Sequence, residues 1–192
     1  MSFLSISTLL SYIRSTLVHV PWTHWAVIGV FSLGLSLFYL KRKKSSVYGA
    51  FALSVTAFIS LFLLDTAVVI RYCGMMHHAS GYDLTLSFSR FWQRNGPGLA
   101  ETISNIAVFI PLGFFLSEFL STTKRIRPWR RLETVTMVSF CLSLCTECLQ
   151  LILQVGFFEL KDLVLNTVGG FIGAGLSRLV RAVCTRGAVR RA

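Results

Sequence analysis

Acidic residues are scarce in this 192-residue chain: 8 Asp and Glu stand against 19 Lys and Arg, and charged residues make up only 14%. With 54% hydrophobic residues and a mean hydropathy of +0.65, that is too little charge to clothe a soluble domain, and the composition points to a membrane. The GxSxG, HExxH and phosphate-loop glycine motifs are absent, so none of those signatures assigns a reaction. The five cysteines, Cys73, Cys141, Cys145, Cys148 and Cys184, form no even framework, and three fall inside one apolar segment. No internal repeat or linker divides the chain, and no stretch is long and polar enough for a second, soluble domain.

What is present is a set of five apolar runs: Trp22 to Leu40, Val47 to Ile70, Ile103 to Leu120, Thr134 to Leu153 and Leu163 to Val183. Each approaches the roughly 20 residues that cross about 30 Å of hydrocarbon as a helix. Ahead of them, Ile6, Leu10, Ile13 and Leu17 recur at helical spacing opposite Ser5, Thr8, Ser15 and His19, the pattern of a helix lying in the interface rather than of a cleaved signal peptide. The expected fold is therefore all-α: a polytopic membrane bundle of about five transmembrane helices after an N-terminal amphipathic helix. Its parts would be an interfacial segment over 1–21, a single bundle over 22–183 and a basic tail over 184–192.

Basic residues orient this set. Lys41 to Lys44, then Lys124, Arg125, Arg127, Arg130 and Arg131, then Arg178, Arg181, Arg186, Arg190 and Arg191 all fall on one side if the spans alternate. The positive-inside bias makes that side cytoplasmic, with the N-terminus outside a cell membrane and Arg71 to Glu101 and Gln154 to Asp162 as outer loops. The +11 net charge then follows from topology and anionic lipid headgroups, so membrane lipids are expected partners and nucleic acid is not.

The last two spans carry the chemistry. At about 100° per residue, Thr136, Ser139, Ser143, Thr146, Glu147, Gln150 and Gln154 share one side of the fourth helix, opposite Cys141, Cys145 and Cys148. Asp162, Asn166, Gly169, Gly170, Gly173 and Ser177 share one side of the fifth. Hydrocarbon cannot solvate such groups, so two helices joined by a short loop should run antiparallel and turn them toward a common interior. The glycine strip should let a neighbouring backbone approach. Glu147, Gln150, Asp162, Asn166 and Asn105 then lie in the outer half of the membrane. Asp65 could join them with Arg71 as counter-charge, whereas Glu118 should snorkel and pair with Lys124 or Arg125 at the cytoplasmic end. Pro111 and Gly113 should kink or loosen the third helix.

Glu147 and Asp162 admit two readings, an acid and base pair or an interhelical clamp with Gln150 and Asn166. His77 and His78 read as a solvated loop, the Cys145/Cys148 pair as apolar packing, and Arg90, Phe91, Trp92 and Arg94 as an interfacial anchor that could also contact an anionic headgroup. Neither a metal nor a cofactor is expected.

Three runs together resemble the VanZ-like family of membrane proteins: Asn105-Ile-Ala-Val-Phe109-Ile-Pro111-Leu-Gly113, Glu147-Cys-Leu-Gln150, and Asp162-Leu-Val-Leu-Asn166-Thr-Val-Gly169-Gly170. The likeness covers roughly Leu84 to Leu179, with Leu84 to Phe88 lacking the proline and asparagine usual in the family's Asn-Leu-x-Pro-Phe-like segment. The family is named for a protein linked to teicoplanin resistance, so the resemblance implies a glycopeptide-resistance or cell-envelope role and no defined reaction. The expected function is an outward-facing intramembrane polar pocket for a lipid-linked envelope precursor or lipoglycopeptide, with Glu147 and Asp162 as candidate acid and base. Asn105, Gln150, Asn166, Pro111, Gly169, Gly170 and Arg90 would contact the ligand. An intramembrane enzyme acting on such a lipid, and a small-solute or proton pathway, are the alternatives.

Overall fold

The computed structural model describes residues 20–41, 46–69, 81–84, 97–122 and 126–189. The interfacial segment expected before the first span lies outside them except for its last two residues, as do Arg71, His77, His78, Arg90 to Arg94, Lys124 and Arg125.

Among the described residues, five helices are long and apolar enough to cross a membrane. They are α1 (Trp22–Leu40), α2 (Val47–Leu64), α3 (Pro97–Thr122), α4 (Pro128–Ile152) and α5 (Leu160–Val189). The starts follow local rules. Ser46 caps α2 by accepting the Gly49 N–H at 2.9 Å, and Pro128 opens α4, where its missing N–H is no loss. α1 has the bounds read from hydropathy, while α3 and α4 each begin six residues earlier than expected. Pro111 sits inside α3 without interrupting it.

α3 is the centre of the bundle, with α5 packed closely along it and α2 and α4 against its other sides, while α4 also packs on α5 and α1 on α2. The glycine strip is the reason α5 comes so close. A Cβ on Gly169 would lie 2.9 Å from the Phe109 Cβ, and one on Gly173 would lie 2.8 Å from the Phe114 backbone nitrogen and collide with the Ile110 carbonyl. One on Gly113 would strike the Gly170 backbone. These contacts advance together along both chains, so α3 and α5 run parallel at backbone contact.

α4 runs antiparallel to α5, in register at four-residue steps. Val135 packs with Ala174, Ser139 abuts Gly170, and the Asn166 Nδ2 donates to the Ser143 Oγ at 2.9 Å. One turn further on each helix places Glu147 level with Asp162, and one turn back places Arg131 level with Arg178. The antiparallel pairing of the two polar faces is thus as the sequence implied.

The connections hold more structure than plain loops. Gly81–Asp83 (β1) and Phe157–Glu159 (β2) form a two-stranded parallel sheet with Gly81 opposite Phe157, where a Cβ on Gly81 would lie 2.7 Å from the Phe157 ring. Gln154, expected on the polar side of the fourth helix, instead leaves it. Leu153 caps α4, Gln154 adopts φ 55°, and Val155 N–H and Gln154 N–H donate to the Gln150 and Leu151 carbonyls at 3.0 and 3.2 Å. That is the Schellman turn, with glutamine at a position that favours glycine. α2 passes into a π-helical turn over Asp65–Val69.

Candidate functional site

Polar side chains gather at both ends of the bundle. At the β-strand end, Glu147 is 4% exposed and its carboxylate accepts the Glu159 backbone N–H at 2.9 Å. The Schellman turn makes this contact: it reverses the chain so that β2 comes back over the last turns of α4. Lys161, buried at the start of α5, places its Nζ 3.3 Å from Glu159 and 3.7 Å from Asp162. A cation beside two acids makes buried charge tolerable here, a role that the position of Lys161 at the edge of an apolar run does not reveal.

Gln150 reaches a different element. Its Nε2 donates to the Ala67 carbonyl at 3.1 Å, inside the π turn, where the wider helical winding leaves carbonyls available. The same turn begins with buried Asp65, whose two carboxylate oxygens lie 2.7 and 2.9 Å from the His24 Nδ1. The carboxylate makes Nδ1 the protonated nitrogen. Asp65 therefore joins this end of the molecule as expected, but among the described residues its partner is His24 from α1.

Asn105 completes the level. It precedes Ile106, whose carbonyl faces Gly169, so it stands on α3 beside the Asn166 to Gly169 turn of α5. Among the described residues its buried Nδ2 has no hydrogen-bond partner. Five of the residues singled out in the sequence, Asn105, Glu147, Gln150, Asp162 and Asn166, thus fall at one end of three adjoining helices. Gly169 and Gly170 lie in the helix contacts described above, and Pro111 is half-buried on α3. Arg90 is outside the described residues.

The opposite end corrects one expectation. Glu118 does not snorkel: it is 3% exposed and enclosed by three helices. Its Oε1 accepts from Ser177 Oγ at 2.6 Å and Arg181 Nε at 2.9 Å, and its Oε2 accepts from Tyr48 Oη at 2.5 Å and from the Arg181 Nη2. The forked pair is the arrangement a guanidinium makes with a carboxylate. Arg181 lies one turn beyond Ser177 on α5, a spacing that puts both on the α3 side, whereas Lys124 and Arg125 are merely nearer to Glu118 in sequence. Between the two ends lies an apolar layer of Leu116, Val135 and Ala174.

Cys141 and Cys145 are exposed on the outer side of α4, away from Ser143 and Glu147, as the helical projection implied. Among the described residues no group of His, Cys, Asp and Glu could hold a metal ion.

A model of the VanZ/LLP1 family matches residues 64–181, more than half of the chain. The chain belongs to this family. The VanZ/LLP1 segment starts beside Asp65 and stops at Arg181, so it contains both polar ends except for His24 and Tyr48, which α1 and α2 contribute from outside it. No curated protein and no solved structure matches the chain. The protein is a multi-pass membrane protein of the VanZ type.

Proposed function

We propose that the β-strand end faces outward across the cell membrane and forms a polar pocket for an amphiphilic cell-envelope molecule, a lipid-linked wall precursor or a lipoglycopeptide of the teicoplanin type. The observation that carries this reading is the buried Asn105 amide donor, without a partner among the described residues, at the level where Glu147, Gln150, Asp162 and Asn166 converge. An unmet donor in low dielectric is costly, and a ligand oxygen would satisfy it. Phosphate, sugar and peptide carbonyl groups are all such acceptors, and acyl chains would lie along the apolar helix surfaces. The basic residues at the other end agree with a cytoplasmic C-terminus. Replacing Asn105, Glu147 or Asp162 by alanine should abolish teicoplanin resistance conferred by the protein while its level in the membrane stays normal. Resistance retained by all three variants would remove this site from the account.

A second reading, catalysis on a lipid-linked envelope substrate, rests on Glu147 and Asp162 standing level on facing helices with Lys161 beside them. One carboxylate would serve as general base and Asn105, Gln150 and Asn166 would position the substrate. Purified protein would then convert precursor lipids, and full turnover by Glu147→Gln would end this reading. A solute or proton pathway has less support, because the apolar cluster of Leu116, Val135 and Ala174 interrupts the polar side chains of α3, α4 and α5 between the two ends.

A further inference from the structure

We propose that Arg131, Arg178 and Arg181 hold one phosphate group between α4 and α5 at the end of the bundle opposite the β-strands, and that its source is the phosphodiester of an anionic lipid headgroup. The α4–α5 register brings Arg131 level with Arg178 on adjoining helices, and Arg131 lies within electrostatic reach of Arg178, Arg181 and Glu118. That is three guanidinium groups to one carboxylate. Glu118 already accepts four hydrogen bonds, which fills its oxygens. Among the described residues, the buried Arg131 Nε has no hydrogen-bond partner and neither Arg131 nor Arg178 has an ion-pair partner.

Facing cations with an unmet buried donor are stabilised by an anion between them, and the planar fork of a guanidinium matches phosphate oxygens. The depth of the site identifies the anion. Two residues from Arg131, Trp129 is half exposed with the Arg130 guanidinium 5.7 Å above its ring, the amphipathic pairing found at the headgroup level of a bilayer. Arg178 is exposed and Arg181 partly so, which leaves the rim open to a headgroup arriving from the lipid side.

The full-length protein in zwitterionic detergent tests this by thermal unfolding and by native mass spectrometry with added phosphatidylglycerol, phosphatidylcholine or inorganic phosphate. Phosphatidylglycerol should raise the unfolding midpoint saturably and remain bound at one molecule per chain, while phosphatidylcholine should not. Arg131→Gln and Arg178→Gln should each weaken the apparent affinity about five- to tenfold, and Arg130→Gln should leave it unchanged. Arg178 is on the exposed rim, so its variant remains informative if Arg131→Gln folds poorly. Inorganic phosphate that stabilises as strongly as the lipid would keep the phosphate site and assign it to a soluble anion. Equal effects of the two lipids on the wild type, or wild-type affinity in both site variants, would overturn the proposal.

Discussion

Truncating Glu118 to alanine removes the acceptor for four hydrogen bonds, and the structure indicates how much of that loss the protein recovers. Removing one member of a fully buried ion pair typically costs about 3–5 kcal/mol, because the remaining charge is stranded. Here the partners are less trapped. The Arg181 side chain is 37% exposed, Tyr48 is 50% exposed, and Ser177 keeps its bond to Ser117 at 3.0 Å. Arg181 and Tyr48 can find other partners at the membrane face and buried Ser177 has Ser117, so the expected cost falls to about 2–3 kcal/mol. Glu118→Gln should cost less, since it keeps the shape and one acceptor. In a double-mutant cycle with Arg181→Met, measured by reversible thermal or denaturant unfolding in detergent, the coupling should be about 1–2 kcal/mol. A Glu118→Ala variant within about 0.5 kcal/mol of wild type, or an Arg181→Met effect that is the same with and without Glu118, would show that the pair does not hold α3 to α5.

Gln150→Ala should cost about 1 kcal/mol and speed amide exchange within Asp65–Val69, because the Ala67 carbonyl loses its donor. Gly173→Ala should cost about 2 kcal/mol or more, since its methyl would meet α3 backbone rather than a flexible side chain, whereas Gly175→Ala, with open space around it, should be tolerated. Gln154→Gly should stabilise by up to about 1 kcal/mol by relieving a left-handed conformation, as read from the unfolding midpoint. A cysteine pair at Glu147 and Asp162 in an otherwise cysteine-free chain should cross-link readily. The native Cys145 with a cysteine at position 162 should not, since Cys145 faces the other way.

The hydropathy of the chain located all five helices, and the helical projection of Ser143, Glu147 and Asn166 located the seam between α4 and α5. These features rest on local periodicity, which is written directly into the order of residues. What escaped notice depends on distance in sequence. His24 and Asp65, or Tyr48 and Glu118, are joined only once α1 and α2 dock, and no spacing rule connects them. Lys161 reads as an ordinary flank of a span, yet it is buried with its Nζ beside Glu159 and Asp162. The π turn was equally hidden, because one extra residue per turn leaves the apolar pattern of α2 almost unchanged. Arg181 could have been found: Ser177 and Arg181 stand four residues apart on the side of α5 that the glycines mark as its contact with α3.

The most direct test of the polar site is a binding titration of purified protein in lipid nanodiscs with a lipid-linked wall precursor. Asn105→Ala and Asp162→Ala should each weaken binding at least about tenfold, the loss expected when a buried hydrogen-bonding group is removed from a bound ligand, while Arg178→Gln at the far end should bind like the wild type. Equal affinity in all four proteins would contradict the account, because the converging side chains at the β-strand end would then serve the packing of the helices and nothing more.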